Sequence, residues 1–423
     1  MYEESLRILE RAKKVIPGAA QTNSKSYRRF PVGVYPLFLK NGCYEYVVDV
    51  DNNVYLDWSS ALGPTILGYN PEVNKAVTDS LRMIGGFGGA NFSLPTEVEV
   101  DLAEKLVKLI PAAEMVRFGK TGSEVTSAAV RLARAYTGKE KIAISGYSGW
   151  SDSLAAHTKI NAGIPKCLRK LIFPFEYNNI HSLEQIFEDN TDQIACVAME
   201  PVIYEPPAPG FLNKVSSLCH DSKTALIFDE MVTCPRFHLS GAQKLYDVVP
   251  TIATIGKGLG GGFSFASLTG PTEIMDQIGR GEVFYSGTFL GETIGIVAAL
   301  KAIEIIERDK VVANIWKIGE NLKYQFNTIA NELAIDAELY GLPPRMVFKF
   351  PDNNLKSLFL QETAKRGLLF GNVVYPTTHT KSQVDKTIDI CYDVLLFLRK
   401  AIDSGSVKGY LNGGVCSDFG EVR

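Results

Sequence analysis

The chain has 423 residues, 46% of them hydrophobic, enough to build two or more packed lobes. Its 44 basic and 47 acidic side chains are interspersed and leave a net charge of -3, which excludes nucleic-acid or polyanion binding by bulk electrostatics. Seven widely spaced cysteines, no basic-then-apolar leader and no apolar run of the roughly 18 residues a membrane helix needs predict a cytoplasmic protein without a disulfide framework or a membrane span.

In chain order, residues 3–15 carry apolar positions at helical spacing (Leu6, Leu9, Ala12, Val15) and stop at Pro17-Gly18. The basic stretch from Gln21 to Pro31 is too irregular for an element. It reads either as a solvated loop or as an anion-binding lip. Leu37–Lys40, Glu45–Asp49 and Val54–Trp58 form a small meander with turns at Asn41-Gly42 and Asp51–Asn53. Helices are expected near 71–83, after which comes the glycine run Gly85–Gly89, and over 96–109 with Thr96 as cap.

From Met115 the pattern becomes strand-helix alternation. Met115–Phe118, Lys141–Ile144, Lys170–Phe173, Ile194–Met199 and Ala225–Phe228 read as strands. A helix with the apolar face Val125, Ala128, Ala129, Leu132, Ala133 and Tyr136 ends at Gly138, and another lies near 211–220. This is an α/β domain on a largely parallel sheet, where ligands sit outside the carboxyl ends of the strands. The tail, with helices near 291–307, 310–333 and 383–402 and short strands around 345–350 and 368–370, predicts a smaller α+β lobe.

Chemistry is expected at five strand ends or strand-to-helix turns. Lys257, delivered by a β-compatible run into a glycine-rich turn, is either a solvated turn lysine or a Schiff-base amine that the glycines let a ligand approach. Thr121-Gly122-Ser123 offers hydroxyls and the free N–H groups of a helix start, a phosphate cup or an ordinary N-cap supplied by Ser123. Asp229 ends a buried strand and needs a positive partner, either a pyridinium nitrogen or an arginine such as Arg236. Tyr147, between glycines, either lies on a planar cofactor or simply packs. Ser286-Gly287-Thr288 either binds phosphate or caps the next helix.

Gly256-x-Gly258-x-x-Gly261 matches a dinucleotide fingerprint, but a strand-like run follows it where a helix is required, and Asp276 sits in a helical segment. No Walker lysine, metal-ligand histidine spacing or G-x-S-x-G elbow is present in the sequence.

Taken together, T-I-G-K-G-L-G-G-G around Lys257, D-E-M at 229–231, T-G-S-E at 121–124, S-G-T at 286–288 and M-E-P at 199–201 resemble class III pyridoxal-phosphate-dependent aminotransferases. The likeness is to the glutamate-1-semialdehyde aminomutase-like branch, and runs nearly end to end. It implies a fold-type-I enzyme: a seven-stranded, mostly parallel sheet in a large domain over 61–308, a small α+β domain over 309–423, and an N-terminal segment over 1–60 packing with the latter.

It also implies a homodimer with shared sites. Lys257 would hold pyridoxal 5'-phosphate and shuttle the proton, and Asp229 would pair with the pyridine nitrogen. Thr121, Gly122 and Ser123 would bind the phosphate, with Thr288 reaching the neighbouring subunit's phosphate. Tyr147 would stack on one ring face, Met231 pack on the other, and Glu200 lie close to the ring. Two departures stand out: Ser148 where the family usually has histidine, and Cys234-Pro235 where Gly-Phe is usual.

The expected activity is ping-pong transfer from an amino-acid donor, glutamate foremost, to a sugar-like carbonyl acceptor in surface-glycan synthesis. Lys25, Arg28 and Arg29 are candidates for an anionic substrate group. A 2,1-aminomutase is the alternative, although only residues 151–166 stand where the aminomutase has a longer mobile segment. A non-catalytic binding protein is a third reading, which the presence of both Lys257 and Asp229 disfavours.

Overall fold

The computed structural model describes residues 2–82 and 89–418; Gly85–Gly88 of the glycine run lie outside the described residues. Helix α1 (Glu3–Val15) leads into the meander β1 (Leu39–Cys43), β2 (Tyr46–Asp49) and β3 (Val54–Asp57), then α2 (Pro71–Leu81) and α3 (Glu97–Leu109). The alternating region opens with β4 (Met115–Gly119), α4 (Gly122–Thr137), β5 (Lys141–Ser145), α5 (Asp152–Ala155), α6 (Lys166–Arg169) and β6 (Ile172–Pro174). It continues with α7 (Ile180–Asp189), β7 (Ile194–Met199), α8 (Phe211–Asp221), β8 (Ala225–Asp229), α9 (Thr233–Arg236) and α10 (Ala242–Leu245). It closes with β9 (Ile252–Gly256), β10 (Ala266–Gly270), α11 (Thr272–Gly279) and α12 (Thr293–Arg308). Last come α13 (Val311–Glu332), β11 (Glu338–Leu342), β12 (Arg345–Lys349), α14 (Asn353–Lys365), β13 (Leu368–Leu369) and α15 (Lys381–Asp403). Helices α7 and α14 and strand β11 were not expected from the sequence pattern.

The chain divides into two compact units, Met1–Pro71 with Ala313–Glu421, and one built on Glu72–Val312. In the second, seven strands lie in the order β4-β10-β9-β8-β7-β5-β6. Neighbours from β9 to β6 pair in parallel, and β10 runs antiparallel to both β9 and β4. Strands β7, β8, β9 and β10 are buried at every position, which is why they read as unbroken apolar runs. Helix α4 starts on a Thr121/Glu124 capping box and ends at Gly138 (φ 68°). Its predicted face is buried except for Tyr136, which is 48% exposed and donates to Glu273 at 2.8 Å.

The first unit carries the sheet β1-β2-β3-β13, with β13 parallel to β3. Its core gathers Trp58, Phe326, Phe359 and Phe370. The Asp51–Asn53 turn does more than reverse the chain. Asp51 accepts the Glu4 and Ser5 N–H groups (2.7 and 3.0 Å), capping α1, and Asp49 accepts Asn53 N and Tyr55 OH (2.8 and 3.0 Å).

Candidate active site

The parallel strands of the Glu72–Val312 unit end at one edge, and the residues that follow them converge there. β8 and β9 pair with Asp229 opposite Thr254, and the Glu230 N–H donates to the Thr254 carbonyl at 2.8 Å. Asp229, buried, is therefore the last residue of β8, and Lys257 is the first beyond β9. Lys257 is half-buried and has φ 46°, a left-handed backbone that a non-glycine residue adopts only under constraint. The glycine turn behind it leads into strand β10, as the rejection of a dinucleotide loop requires.

The side chain of Met231 joins three of these segments. A Cβ on Gly122, at the start of α4, would sit 3.0 Å from Met231 Sδ, and a Cβ on Gly256 would sit 3.0 Å from the same sulfur. The Met231 N–H donates to Asp229 Oδ1 at 3.1 Å. One thioether thus lies against the helix start, beside the residue preceding Lys257, and on the turn that holds Asp229. Below it, the buried Glu230 carboxylate accepts the N–H groups of Ala242 (2.6 Å) and Gln243 (3.0 Å) and the Thr233 hydroxyl. Burial pushes its pKa up, against the pull of those donors.

The loop after β5 is pinned at two points. Tyr147 N donates to Glu200 Oε1 at 3.1 Å, and Trp150 N donates to Ser123 Oγ at 3.1 Å. Gly149 (φ 128°) is required there, since a Cβ would come within 2.6 Å of Ser123 Oγ. Tyr147 itself is 41% exposed and Glu200 is buried. The α4 cap is not Ser123. Thr121 Oγ1 accepts from Glu124 N at 3.4 Å, and Glu124 Oε2 accepts from Lys120 N and Thr121 N (2.8 and 2.9 Å). Ser123 lies inside the helix, and its hydroxyl is turned to the Tyr147 loop.

The model of the aminotransferase class-III family matches residues 30–395. The chain belongs to the class-III aminotransferases. It is 38% identical over 82% of its length to a 3-aminobutyryl-CoA aminotransferase of Cloacimonas acidaminovorans, of which 83% is covered. It is 33% identical over 92% of its length to a glutamate-1-semialdehyde 2,1-aminomutase of Neisseria meningitidis, of which 97% is covered. Its fold is that of the Sphingopyxis FumI protein in its pyridoxal-phosphate form (TM-score 0.87, 24% identity, 94% of this chain and 97% of that one).

This class-III aminotransferase is a pyridoxal-phosphate-dependent enzyme. Its residues suit that cofactor. The Gly122 and Ser123 N–H groups, at the first two positions of α4, precede any intrahelical acceptor, Ser123 Oγ can still donate its proton while accepting from Trp150, and such a helix start attracts a phosphate. Gly122 and Gly256 leave the space beside Met231 that a Cβ at either position would close. A buried carboxylate and an amine end adjacent strands, as a charged heterocycle and a carbonyl would need.

The remaining expected residues lie on other segments. Thr288 is exposed on the stretch that precedes α12. Lys25, Arg28 and Arg29 belong to the other unit, on short 3-10 turns over Asn23–Lys25 and Tyr27–Arg29; Lys25 and Arg28 are exposed and Arg29 is buried. Ser148 is buried, and the Cys234–Pro235 bond is cis. Nothing in the sequence pairs Lys120 with Glu292, 172 positions away, yet their side chains meet at 2.6 Å.

Proposed function

We propose that the enzyme moves an amino group from an amino-acid donor, glutamate first, to a sugar-like carbonyl acceptor, with Lys257 and Asp229 as its catalytic pair. The cofactor supplies a carbonyl that captures amines and a ring that accepts electron density. Lys257 Nζ would hold the cofactor, and as a free amine it would take the proton from the donor's α-carbon and return one to the acceptor carbon. Asp229 keeps a proton on the ring nitrogen. Thr121, Gly122 and Ser123 hold the phosphate, joined by Thr288 of a second copy. Tyr147, oriented by Glu200, and Met231 take the two ring faces, and Lys25, Arg28 and Arg29 receive an anionic group of the substrate.

The observation that carries this reading is the seat of Met231 against both Gly122 and Gly256, on the same turn as the Asp229 carboxylate. A homodimer is supported by exposed apolar side chains on the site-bearing unit, among them Leu94 (78%), Phe284 (77%), Trp150 (75%) and Phe289 (60%). Widely spaced cysteines support a cytoplasmic setting. The relative that acts as a 3-aminobutyryl-CoA aminotransferase favours transfer between separate molecules and adds 3-oxoacyl thioesters to the acceptors worth screening.

A second reading, 2,1-amino transfer within one molecule, is favoured by the aminomutase relatives, which match 92% of the chain. One assay separates the two. Holoenzyme is supplied with a panel of amino donors and carbonyl acceptors, and keto acid and aminated product are both counted. Transfer predicts one keto acid released per product formed and no product when the donor is omitted. Product formed from a single amino-aldehyde without any donor establishes the mutase instead.

A further inference from the structure

Lys120 is the first residue after β4, directly ahead of the phosphate cup, and its contacts reach well beyond that cup. Its N–H enters the α4 capping box through Glu124 at 2.8 Å, and its carbonyl accepts the Ser264 hydroxyl at 2.7 Å, on the stretch that follows the Lys257 turn. Its ammonium pairs with Glu292 Oε2 at 2.6 Å and donates to the Glu292 carbonyl at 3.2 Å. The two side chains are only 16% and 15% exposed, so the pair is held more rigidly than a surface ion pair. Glu292 in turn caps α12, its Oε1 accepting Ile294 N at 2.9 Å. Gly295 lets α12 come this close, since a Cβ there would fall 2.3 Å from the Ser264 carbonyl and 3.4 Å from Lys120 Nζ.

Glu292 is also one foot of the segment that bears Thr288. The other foot is Tyr285, whose hydroxyl donates to the Phe118 carbonyl at 3.1 Å, while Arg131 donates to the Phe284 carbonyl at 2.7 Å. Between the feet, Ser286 to Phe289 are exposed. The Tyr285 foot therefore stands on β4 and α4, and the Glu292 foot on Lys120, in the link between them. The Lys120 ammonium is engaged by Glu292, through both its carboxylate and its carbonyl.

We propose that Lys120 and Glu292 are a positioning pair that fixes the Thr288 crest relative to the Gly122–Ser123 cup, so that the cofactor phosphate of a second copy is gripped by a crest whose height and angle are set from within the first. This rests on the phosphate-binding roles given above to Gly122, Ser123 and Thr288.

The test is a double-mutant cycle on pyridoxal-phosphate affinity, read by titrating apoprotein and following the visible absorption of the bound cofactor. Lys120→Met weakens binding roughly tenfold in the wild-type background and less than about twofold in a Thr288→Ala background, because both changes remove the same grip. If Lys120→Met does not fold, Glu292→Gln breaks the same pair and must show the same dependence on Thr288. Equal losses in both backgrounds, or no loss at all, overturn the positioning role. Wild-type protein that binds no cofactor at Lys257 overturns the cofactor assignment itself, so the two failures are told apart.

Discussion

The Asp57 carboxylate is buried at the end of β3, where it accepts the Ser59 and Ser60 N–H groups (2.7 and 3.2 Å) and the Tyr69 hydroxyl (3.4 Å). Burial outweighs these bonds and the nearby Lys25 ammonium, and raises its pKa from 3.8 to about 6. A carboxyl whose folded value lies above its unfolded one stabilises the fold while protonated. That contribution is complete below the unfolded value and is lost as pH climbs through about 6. The rise corresponds to roughly 3 kcal/mol. Asp57→Asn keeps the acceptor oxygen and removes the titration. Urea unfolding is therefore expected to show the variant gaining on wild type by about 2–3 kcal/mol between pH 4 and pH 7. A stability difference that stays flat across that window contradicts the burial account. Residues of this kind were not legible in the sequence, where Asp57 is simply the aspartate after Leu56; only the packed unit shows that water is excluded from it.

Among the elements, β9 approaches β10 at Gly256, and α4 approaches the turn after β8 at Gly122, with unequal tolerance for a side chain. A Cβ on Gly256 would lie 2.8 Å from the Phe265 carbonyl, a backbone atom that cannot turn aside, whereas a Cβ on Gly122 meets only the flexible Met231 side chain. Gly256→Ala is therefore expected to cost about 1–3 kcal/mol in urea unfolding of the apoprotein, and Gly122→Ala less than half of that. Equal costs, or the reverse order, would show that the two contacts are not as drawn.

Strands β7, β8 and β9 and helices α4 and α12 were legible because their burial leaves a pattern, continuous for a sheet covered on both faces and periodic for a helix with one wet side. Helix α14 leaves none. It is buried from Ser357 to Ala364, and its polar residues serve internal bonds: Gln361 donates to the Tyr410 carbonyl at 3.0 Å and accepts Asn412 N at 2.8 Å, and Glu362 pairs with Lys365 and Arg366. Strand β11 is masked by Gly341, which looks like a loop residue. It is glycine because its φ of 118° disfavours a side chain and a Cβ would meet the Arg345 carbonyl at 2.6 Å.

Across the whole molecule, the alternating topology carries residues from positions 120, 147, 200, 229 and 257 to one edge of a single sheet. That convergence is why strand ends could be named from the sequence before any contact was known. What strand order alone does not convey is how the ends are locked together, through Met231, Glu230, Glu200 and the Lys120–Glu292 pair, since each of these links spans loops whose conformation depends on tertiary packing. On the proposed function, the class-III cofactor is bound to Lys257, between Asp229 and the α4 start. The most direct test is to load the protein with pyridoxal phosphate, reduce it with borohydride and map the modified peptide by mass spectrometry. The account predicts one pyridoxyl group, on Lys257, absent from Lys257→Ala treated in the same way. Label on another lysine, or label undiminished in Lys257→Ala, contradicts it.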